Sequence, residues 1–439
     1  MSTLQEPART NRADVLRFVL YSAIGIFMFF VPVTIGGKST IPLDHIVTWL
    51  RENVGAAVPY YALAVILAGT VFPFVTGSWR ASPVKMVFAF LNILGLVVGC
   101  ALVFGVGPDW LMAKDMGPFL FNSLVIPVGL IVPIGAVFLA LLIGYGLMEF
   151  IGVFLQPVMR PVWRTPGRSA IDAVASFVGS YSLALLLTDR VYREGRYTAR
   201  EAAIIATGFS TVSASFMVIV AKALDLMDHW LLYFWLALVV TFLVTAITVR
   251  IPPLSRIPDE PYPGVEHQPE KLVTGRRFHH AWAEAREALH TAPSLGRNVW
   301  DNLRDGLRMA MSILPSILSI GLIGLVLARY TPIFDWLGYL FVPFAWIVGL
   351  PEPLLAGKAS ATGIAEMFLP ATLVAGQESL VLRLVIAIVC VSAIIFFSAL
   401  VPSILATEIP VSIRSLVVIW FERVALTILI ATPLVRLLT

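Results

Sequence analysis

The chain has 439 residues, 58% of them hydrophobic and 13% charged, with a formal net charge of +4. Soluble domains carry about 25% charged residues and runs of about 20 apolar residues mark membrane helices, so a soluble protein is excluded and the small positive excess calls for no nucleic-acid partner. Cys100 and Cys390 both lie inside apolar runs, which leaves neither a disulfide framework nor a zinc site.

In chain order, the polar start (1–14) lacks the short apolar core and cleavage site of a removable signal. The first helix therefore reads as a permanent signal-anchor. Charge-poor runs at 15–36, 55–78, 84–107, 119–148, 202–222, 230–250, 307–328, 384–407 and 413–435 predict an all-α polytopic membrane protein with about nine spanning helices. Two further stretches, 169–188 and 353–376, are apolar but interrupted by Gly, Ser, Pro and charge, and 333–350 is short and aromatic, as suits an interfacial helix.

Arg9, Arg12, Arg17, Arg80, Lys85, Arg160, Arg164, Arg168, Arg190, Arg193, Arg196 and Arg200 fall on one side only if 169–188 enters and leaves by the same face. That predicts a re-entrant hairpin or a pair of half-helices there, and a cytoplasmic N-terminus. The polar loop 251–305 opens Pro-rich and turn-like. It continues with Phe278, Ala281, Trp282, Ala285 and Leu289 at helical spacing, which predicts a basic amphipathic helix on the inner membrane surface. His279, His280 and His290 lack the carboxylate or cysteine companions of a metal site.

Segments 182 residues apart repeat one order of features: a Pro-bearing helix, an aromatic interfacial stretch, a broken small-residue hairpin, then a Ser-containing helix. The overlay puts Pro133 on Pro315, Pro161 on Pro343, Gly167 on Gly349 and Ser210 on Ser392. An odd number of spans separates the copies, so they run antiparallel. Inverted repeats with interrupted helices mark secondary transporters, with the substrate site between the repeats at mid-membrane. The expected division is 1–118 for the first three helices, 119–250 for one repeat, 251–305 for the loop and 306–439 for the second repeat.

The stretches "ASFVGSYSLALLLTDRVYREGRYTAREAAIIATGFSTVSASF" (175–216) and "GKASATGIAEMFLPA" (357–371), with their placement, resemble the membrane family that carries nucleoside-recognition Gate domains, in particular its two-Gate YjiH-like members. The same module occurs in concentrative nucleoside transporters and in the membrane part of the ferrous-iron transporter FeoB. The resemblance implies a polytopic bacterial inner-membrane protein with a transport role, nucleoside-like substrates, and a homo-oligomer or a companion membrane protein as partner. No GxxxxGK[ST] phosphate loop is present.

Backbone at a hairpin tip inside a bundle survives only where protein or a wet cavity supplies partners. The second tip, "GKASATG", offers half-helix ends with the hydroxyls of Ser360 and Thr362. Lys358 and Glu366 cost about 2.5–3.5 kcal/mol each at mid-bilayer. They are either a structural ion pair or a substrate contact and a proton or cation carrier. The first hairpin offers Ser180, Tyr181 and Ser182 as ligand contacts, or as partners of its own backbone, with Asp172 nearby and Asp189, Arg190 and Arg193 as a solvated helix end. Thr207, Ser210 and Thr211 share a helix face that is either interhelical glue or a path lining, with Ser392 in the matching place of the second copy. Glu422 and Arg423 lie deep in the last helix; Glu422 with Lys358, and Arg423 with Glu366 or Asp172, are the expected pairings, as a structural network or a relay for a coupling ion.

No nucleophile elbow, HExxH or CxxC occurs, so neither an enzyme nor a cofactor beyond a coupling H+ or Na+ is expected. The expectation is a secondary-active carrier of a small polar solute, nucleoside-like by resemblance or an amino acid or peptide. The alternative is a non-transporting subunit that uses the hairpins as an assembly surface.

Overall fold

A computed structural model describes residues 12–439 apart from 32, 36–37, 82, 179–180, 213 and 271–274. The N-terminal part comprises α1 (Arg12–Phe30), a short antiparallel pair β1 (Val33–Ile35) and β2 (Lys38–Thr40), α2 (Pro42–Val54), α3 (Val58–Thr76) and α4 (Pro83–Phe104). The short turns α5 (Asp109–Met112) and α6 (Gly117–Phe119) and a π-helical stretch (Leu120–Val125) lead into α7 (Ile126–Ile143). There follow α8 (Leu147–Trp163), α9 (Ser169–Val178), α10 (Tyr181–Arg193), α11 (Ala199–Gly208), α12 (Ala214–Ala223) and α13 (Trp230–Thr248). After the polar loop and α14 (Arg277–Thr291) come α15 (Leu295–Tyr330), α16 (Ile333–Gly338), α17 (Val342–Ile347), α18 (Pro353–Thr362), α19 (Leu369–Val374), α20 (Leu380–Ser392), α21 (Leu400–Leu405) and α22 (Ile413–Leu438).

The protein is an all-α multi-pass membrane protein. Among the described residues, six helical runs are long and apolar enough to cross a bilayer. α1 and the two interrupted helices α11–α12 and α20–α21 are further apolar helical segments, in keeping with the expected nine. The β1–β2 pair has no counterpart in the sequence expectation.

The two copies unfold in the same order: long helix (α7, α15), interfacial segment (α8, α16–α17), helical hairpin (α9–α10, α18–α19), interrupted helix (α11–α12, α20–α21), long helix (α13, α22). They run in opposite directions. Arg383 at the start of α20 donates from Nη1 to the carbonyl of Leu224 just past α12, at 2.7 Å. At the other end Glu408, just past α21, donates its amide to Asp189 of α10 at 2.8 Å. The start of one interrupted helix thus lies at the end of the other, and the breaks meet between, where Thr211 Oγ1 donates to Val391 O at 3.1 Å.

Two spans expected as continuous, 202–222 and 384–407, are each split. The first breaks at 209–212 and the second at 393–399. The second break holds Ile394 at a positive φ of 60°, which a β-branched residue adopts only under tertiary constraint. Its freed amides find partners on the second hairpin: Phe397 N donates to Ile364 O at 2.7 Å and Ser398 N to Ala365 O at 3.0 Å. An amide without such a partner costs several kcal/mol in hydrocarbon.

α14 keeps its expected apolar face but turns it on protein. Ala281 and Ala285 are fully buried, with Ala285 backbone directly over Gly146 at the start of α8. Trp282 meets Phe18 of α1 edge-on at 5.2 Å. The Pro-rich segment before it is pinned to the base of the first hairpin. Glu270 accepts from the amides of Gly167 (3.0 Å) and Arg168 (3.3 Å) and from Gln156 Nε2 (2.9 Å), and Ala199 N donates to Glu260 O at 2.7 Å.

The small residues around Lys358 serve close packing. A Cβ on Gly357 would stand 2.5 Å from Gly338 O, and one on Gly338 would stand 2.7 Å from Lys358 N. Backbone therefore meets backbone where α18 crosses α16, as small-residue helix contacts allow. Gly357→Ala is expected to destabilise by about 1–3 kcal/mol, read as a lowered Tm in detergent. Gly296→Ala in α15, which meets nothing within 4 Å, is expected to leave Tm unchanged or raise it slightly.

Candidate functional site

The centre of the molecule is where two helix breaks and the second hairpin tip converge, joined by the inner end of α10. Arg423 of α22 lies among them and is fully buried. Its Nε donates to Ser392 O at 2.8 Å, the last carbonyl of α20. Its Nη1 donates to Thr245 Oγ1 at 3.0 Å, and the single hydrogen of Thr245 Oγ1 is shared between Thr241 O at 2.8 Å and Gly208 O, the last carbonyl of α11, at 2.9 Å. Thr427 Oγ1 donates to Ser392 Oγ at 2.8 Å. The guanidinium thus sits at the C-terminal ends of both leading half-helices, where partial negative charge collects. This corrects the expected pairing: Arg423 forms no ion pair with Glu366 or Asp172, because unsatisfied helix-end carbonyls take the place of a carboxylate.

Asp172, fully buried in α9, likewise finds its partners locally. Thr188 Oγ1 of α10 donates to its Oδ1 and Tyr197 OH to its Oδ2, each at 2.7 Å. These bonds rivet the two arms of the first hairpin to the loop that follows. Ser176 Oγ donates to Thr211 O at 2.5 Å and ties this hairpin to the first break.

Lys358 pairs with Asp335 of α16, Nζ to Oδ1 at 2.6 Å, with both side chains partly exposed. It therefore meets neither Glu366 nor Glu422, its expected partners; α18 presents it toward the interfacial segment, away from the tip. Glu422, half-buried on α22, has no partner for Oε2 among the described residues and lies outside the central cluster. Asp189, expected at a solvated helix end, is 7% exposed; Arg193 bridges it (2.9 Å) to Asp305 of α15 (3.2 Å).

Glu366 follows the second tip and is fully buried. Its Oε2 accepts from Phe368 N at 2.6 Å, and its Oε1 has no partner among the described residues. The hydroxyls of Ser182, Ser360 and Ser398 are also buried without a partner there. Tyr181 packs its ring edge-on against Phe396 of the second break at 5.6 Å. Thr362 Oγ1 donates to Ala359 O at 2.7 Å. Thr207 donates to Ala203 O within its own helix and is fully buried, and Ser210, 1% exposed, lies 3.4 Å from Ile205 O. The Thr207–Ser210–Thr211 face is thus packed between helices, and none of the three lines a described cavity. Ser180 lies outside the described residues.

Two cavities approach this centre from opposite ends of α15. One, of about 350 Å³, runs from Asp115 and Arg329 down to Thr362 and Glu366. The other, of about 710 Å³, runs from Asp305 and Arg193 up to Leu186, Ser316 and Pro402. At 1.5 Å per residue, Asp305 and Arg329 lie roughly 36 Å apart along the helix, and Ser316 and Leu325 roughly 14 Å. An ion pair stands at each mouth: Arg329–Asp115 at 2.8 Å and Arg193–Asp305 at 3.2 Å.

The nucleoside-recognition (Gate) family model matches residues 125–227, which hold the first hairpin and the first break. The uncharacterized protein BpOF4_10220 of Alkalihalophilus pseudofirmus is 34% identical over 456 residues, covering 98% of this chain and 96% of that protein. The chain belongs to this family of Gate-bearing membrane proteins. A shorter likeness links it to the sporulation integral membrane protein YlbJ of Bacillus subtilis, 34% identical over 67 residues, 15% of this chain and 16% of that one. Among solved structures, an outward-facing double variant of CNTnw is similar at 16% identity and a TM-score of 0.46, covering 94% of this chain and 97% of that one. An inward-facing, substrate-bound form of CNTnw gives a TM-score of 0.37, covering 95% and 99%.

In this Gate protein, Thr245, Thr427, Thr188, Tyr197 and Asp335 were not singled out from sequence. Thr245 and Thr427 had a usable signal, since they lie 182 residues apart, the offset of the duplication. Arg423→Gln removes the donors that satisfy Ser392 O and Thr245 and is expected to destabilise by about 1–3 kcal/mol. Arg423→Lys, which keeps charge but loses the planar fork, should fall between. Thermal unfolding in detergent, with proteolysis to follow opening at the breaks, measures both.

Proposed function

We propose that this Gate protein is a secondary-active carrier that moves a small polar solute across a bacterial inner membrane by alternating access between its inverted repeats. One observation carries the proposal: two cavities open toward opposite ends of α15, one ending at the second hairpin tip at Thr362 and Glu366 and the other ending short of the breaks at Leu186, Ser316 and Pro402. A channel would need one continuous path, and a purely structural protein no cavity at either end. Interrupted helices at a repeat interface are where carriers bind substrates and coupling ions. The ion pairs at the two mouths are suited to act as the outer and inner closures.

The N-terminus lies on the cytoplasmic side in this proposal. Arg193 pairs with Asp305 in the first third of α15, and Arg160 and Arg200 pair with Glu270 and Asp259 of the polar loop that leads toward it, a clustering in keeping with the positive-inside rule. The solute is a nucleoside-like molecule, in keeping with the description of the matching family, or an amino acid or peptide. A proton or sodium gradient supplies the energy.

Uptake of labelled nucleoside and amino-acid pools into proteoliposomes tests the proposal. Wild-type protein is expected to accumulate one pool under an imposed gradient and to lose that accumulation when an ionophore collapses it. Glu366→Gln should reduce the rate at least tenfold. Well-folded protein that carries no pool in either direction, and that copurifies with another membrane protein, would instead favour an assembly role.

A further inference from the structure

The cavity that ends at Glu366 has a one-sided chemistry. Its walls are largely apolar, with Phe119, Leu325, Phe368 and Leu373 among them. Its polar groups away from the mouth are the buried Thr362 and Glu366, with the exposed Thr372 nearer the rim. Thr362 Oγ1 already donates to Ala359 O at 2.7 Å, and Thr372 Oγ1 to Leu369 O at 2.8 Å. A hydroxyl has one hydrogen to give, so each offers the cavity only lone pairs. Glu366 Oε1 is buried, lines the cavity and has no partner among the described residues. Lys358 is engaged by Asp335 and Arg329 by Asp115 at the mouth; Arg423 bonds Ser392 O and Thr245 but keeps Nη2 without a partner among the described residues, and it does not line this cavity.

The geometry points to a binding site for an organic monocation, a protonated amine with an apolar body, whose ammonium donates to Glu366 Oε1, Thr362 Oγ1 and Thr372 Oγ1. An ammonium carries three donors and no acceptor, which complements a site of acceptors alone. Glu366 is already out of water, so the ligand adds only its own desolvation to a charge-assisted bond. The apolar walls take the body. At about 350 Å³ the space falls near the low end of small-ligand sites, about 300–1,000 Å³, and so suits a single ring or short chain. An uncharged nucleoside, which offers donors and acceptors together, fits this wall chemistry worse. The inference rests on the transport reading only in taking this cavity as one mouth of the solute path.

Isothermal titration of phenethylamine into the purified full-length protein in nanodiscs at pH 7 tests it without any need for flux. Saturable binding is expected for phenethylamine and none for neutral N-acetylphenethylamine or uridine. Glu366→Gln should weaken binding at least tenfold, and Thr372→Val, a near-isosteric change, severalfold with an unchanged Tm. Leu325→Trp, which fills the cavity and leaves the carboxylate in place, should abolish it. Equal binding of the amine and its neutral amide would overturn the proposal and mark the cavity as a lipid or detergent pocket. So would undiminished affinity in both Glu366→Gln and Thr372→Val, or binding of uridine without binding of the amine. Phenethylamine that binds without any solute being carried would leave this site standing and remove the transport reading; nucleoside uptake without amine binding would do the reverse.

Discussion

A single cation at the end of two helices holds the centre of this protein together. In hydrocarbon an interrupted helix exposes carbonyls that no water can reach, and two such interruptions meet here. Arg423 reaches Ser392 O directly and Gly208 O through Thr245. The end of α20 is thus closed by the guanidinium itself and that of α11 through Thr245, and the charge of Arg423 faces two helix dipoles where a carboxylate would otherwise be needed. This is why Glu366 and Asp172 are left for other roles. It also makes α22, which carries Arg423, one of the elements that link the two repeats, beside the direct bonds Arg383–Leu224, Thr211–Val391 and Glu408–Asp189.

The hairpins are held differently. The first is riveted by Asp172 between Thr188 and Tyr197 and braced from outside by Glu270 on the amides of Gly167 and Arg168. The second is held at its tip by two backbone bonds to the second break and at its flank by the half-exposed Lys358–Asp335 pair, which is worth little. Glu366, Ser360 and Ser398 keep unpartnered polar atoms around that tip. Buried polar groups without protein partners cluster where a ligand or a moving part supplies the missing bond. The first hairpin is thus the more heavily cross-braced of the two, although Ser182 within it also keeps a buried hydroxyl without a partner among the described residues.

Much of the architecture was legible in the sequence, and for identifiable reasons. The re-entrant course of 169–188 followed from Lys and Arg in the loops, because charge is costly to translocate. The hairpin at 353–376 followed from Lys358, Glu366 and Gly363 interrupting an apolar run. The site was less legible. The second break lies in "AIIFF", residues as apolar and bulky as any lipid-facing helix; nothing local signals that their amides bond to Ile364 and Ala365, some 30 residues earlier. The ion pairs were misassigned for a related reason. Lys358 and Glu422 were matched as opposite charges deep in apolar runs, but a helix face, set by its packing partner, decides which way each one points.

What the sequence determined by itself was the solvent of each segment and the count of crossings, since both depend on transfer energies that sum along the chain. It also determined the doubled order of elements, because turn-forming and small residues recur at a fixed offset. Only the tertiary structure decided that helix-end carbonyls are the counter-charge of Arg423, that Asp335 takes Lys358, and that Glu366 is left with an oxygen free at the floor of a cavity. Those outcomes depend on distances between groups far apart in the chain, and hydrogen bonds and ion pairs fall off too steeply with distance for composition or periodicity to fix them.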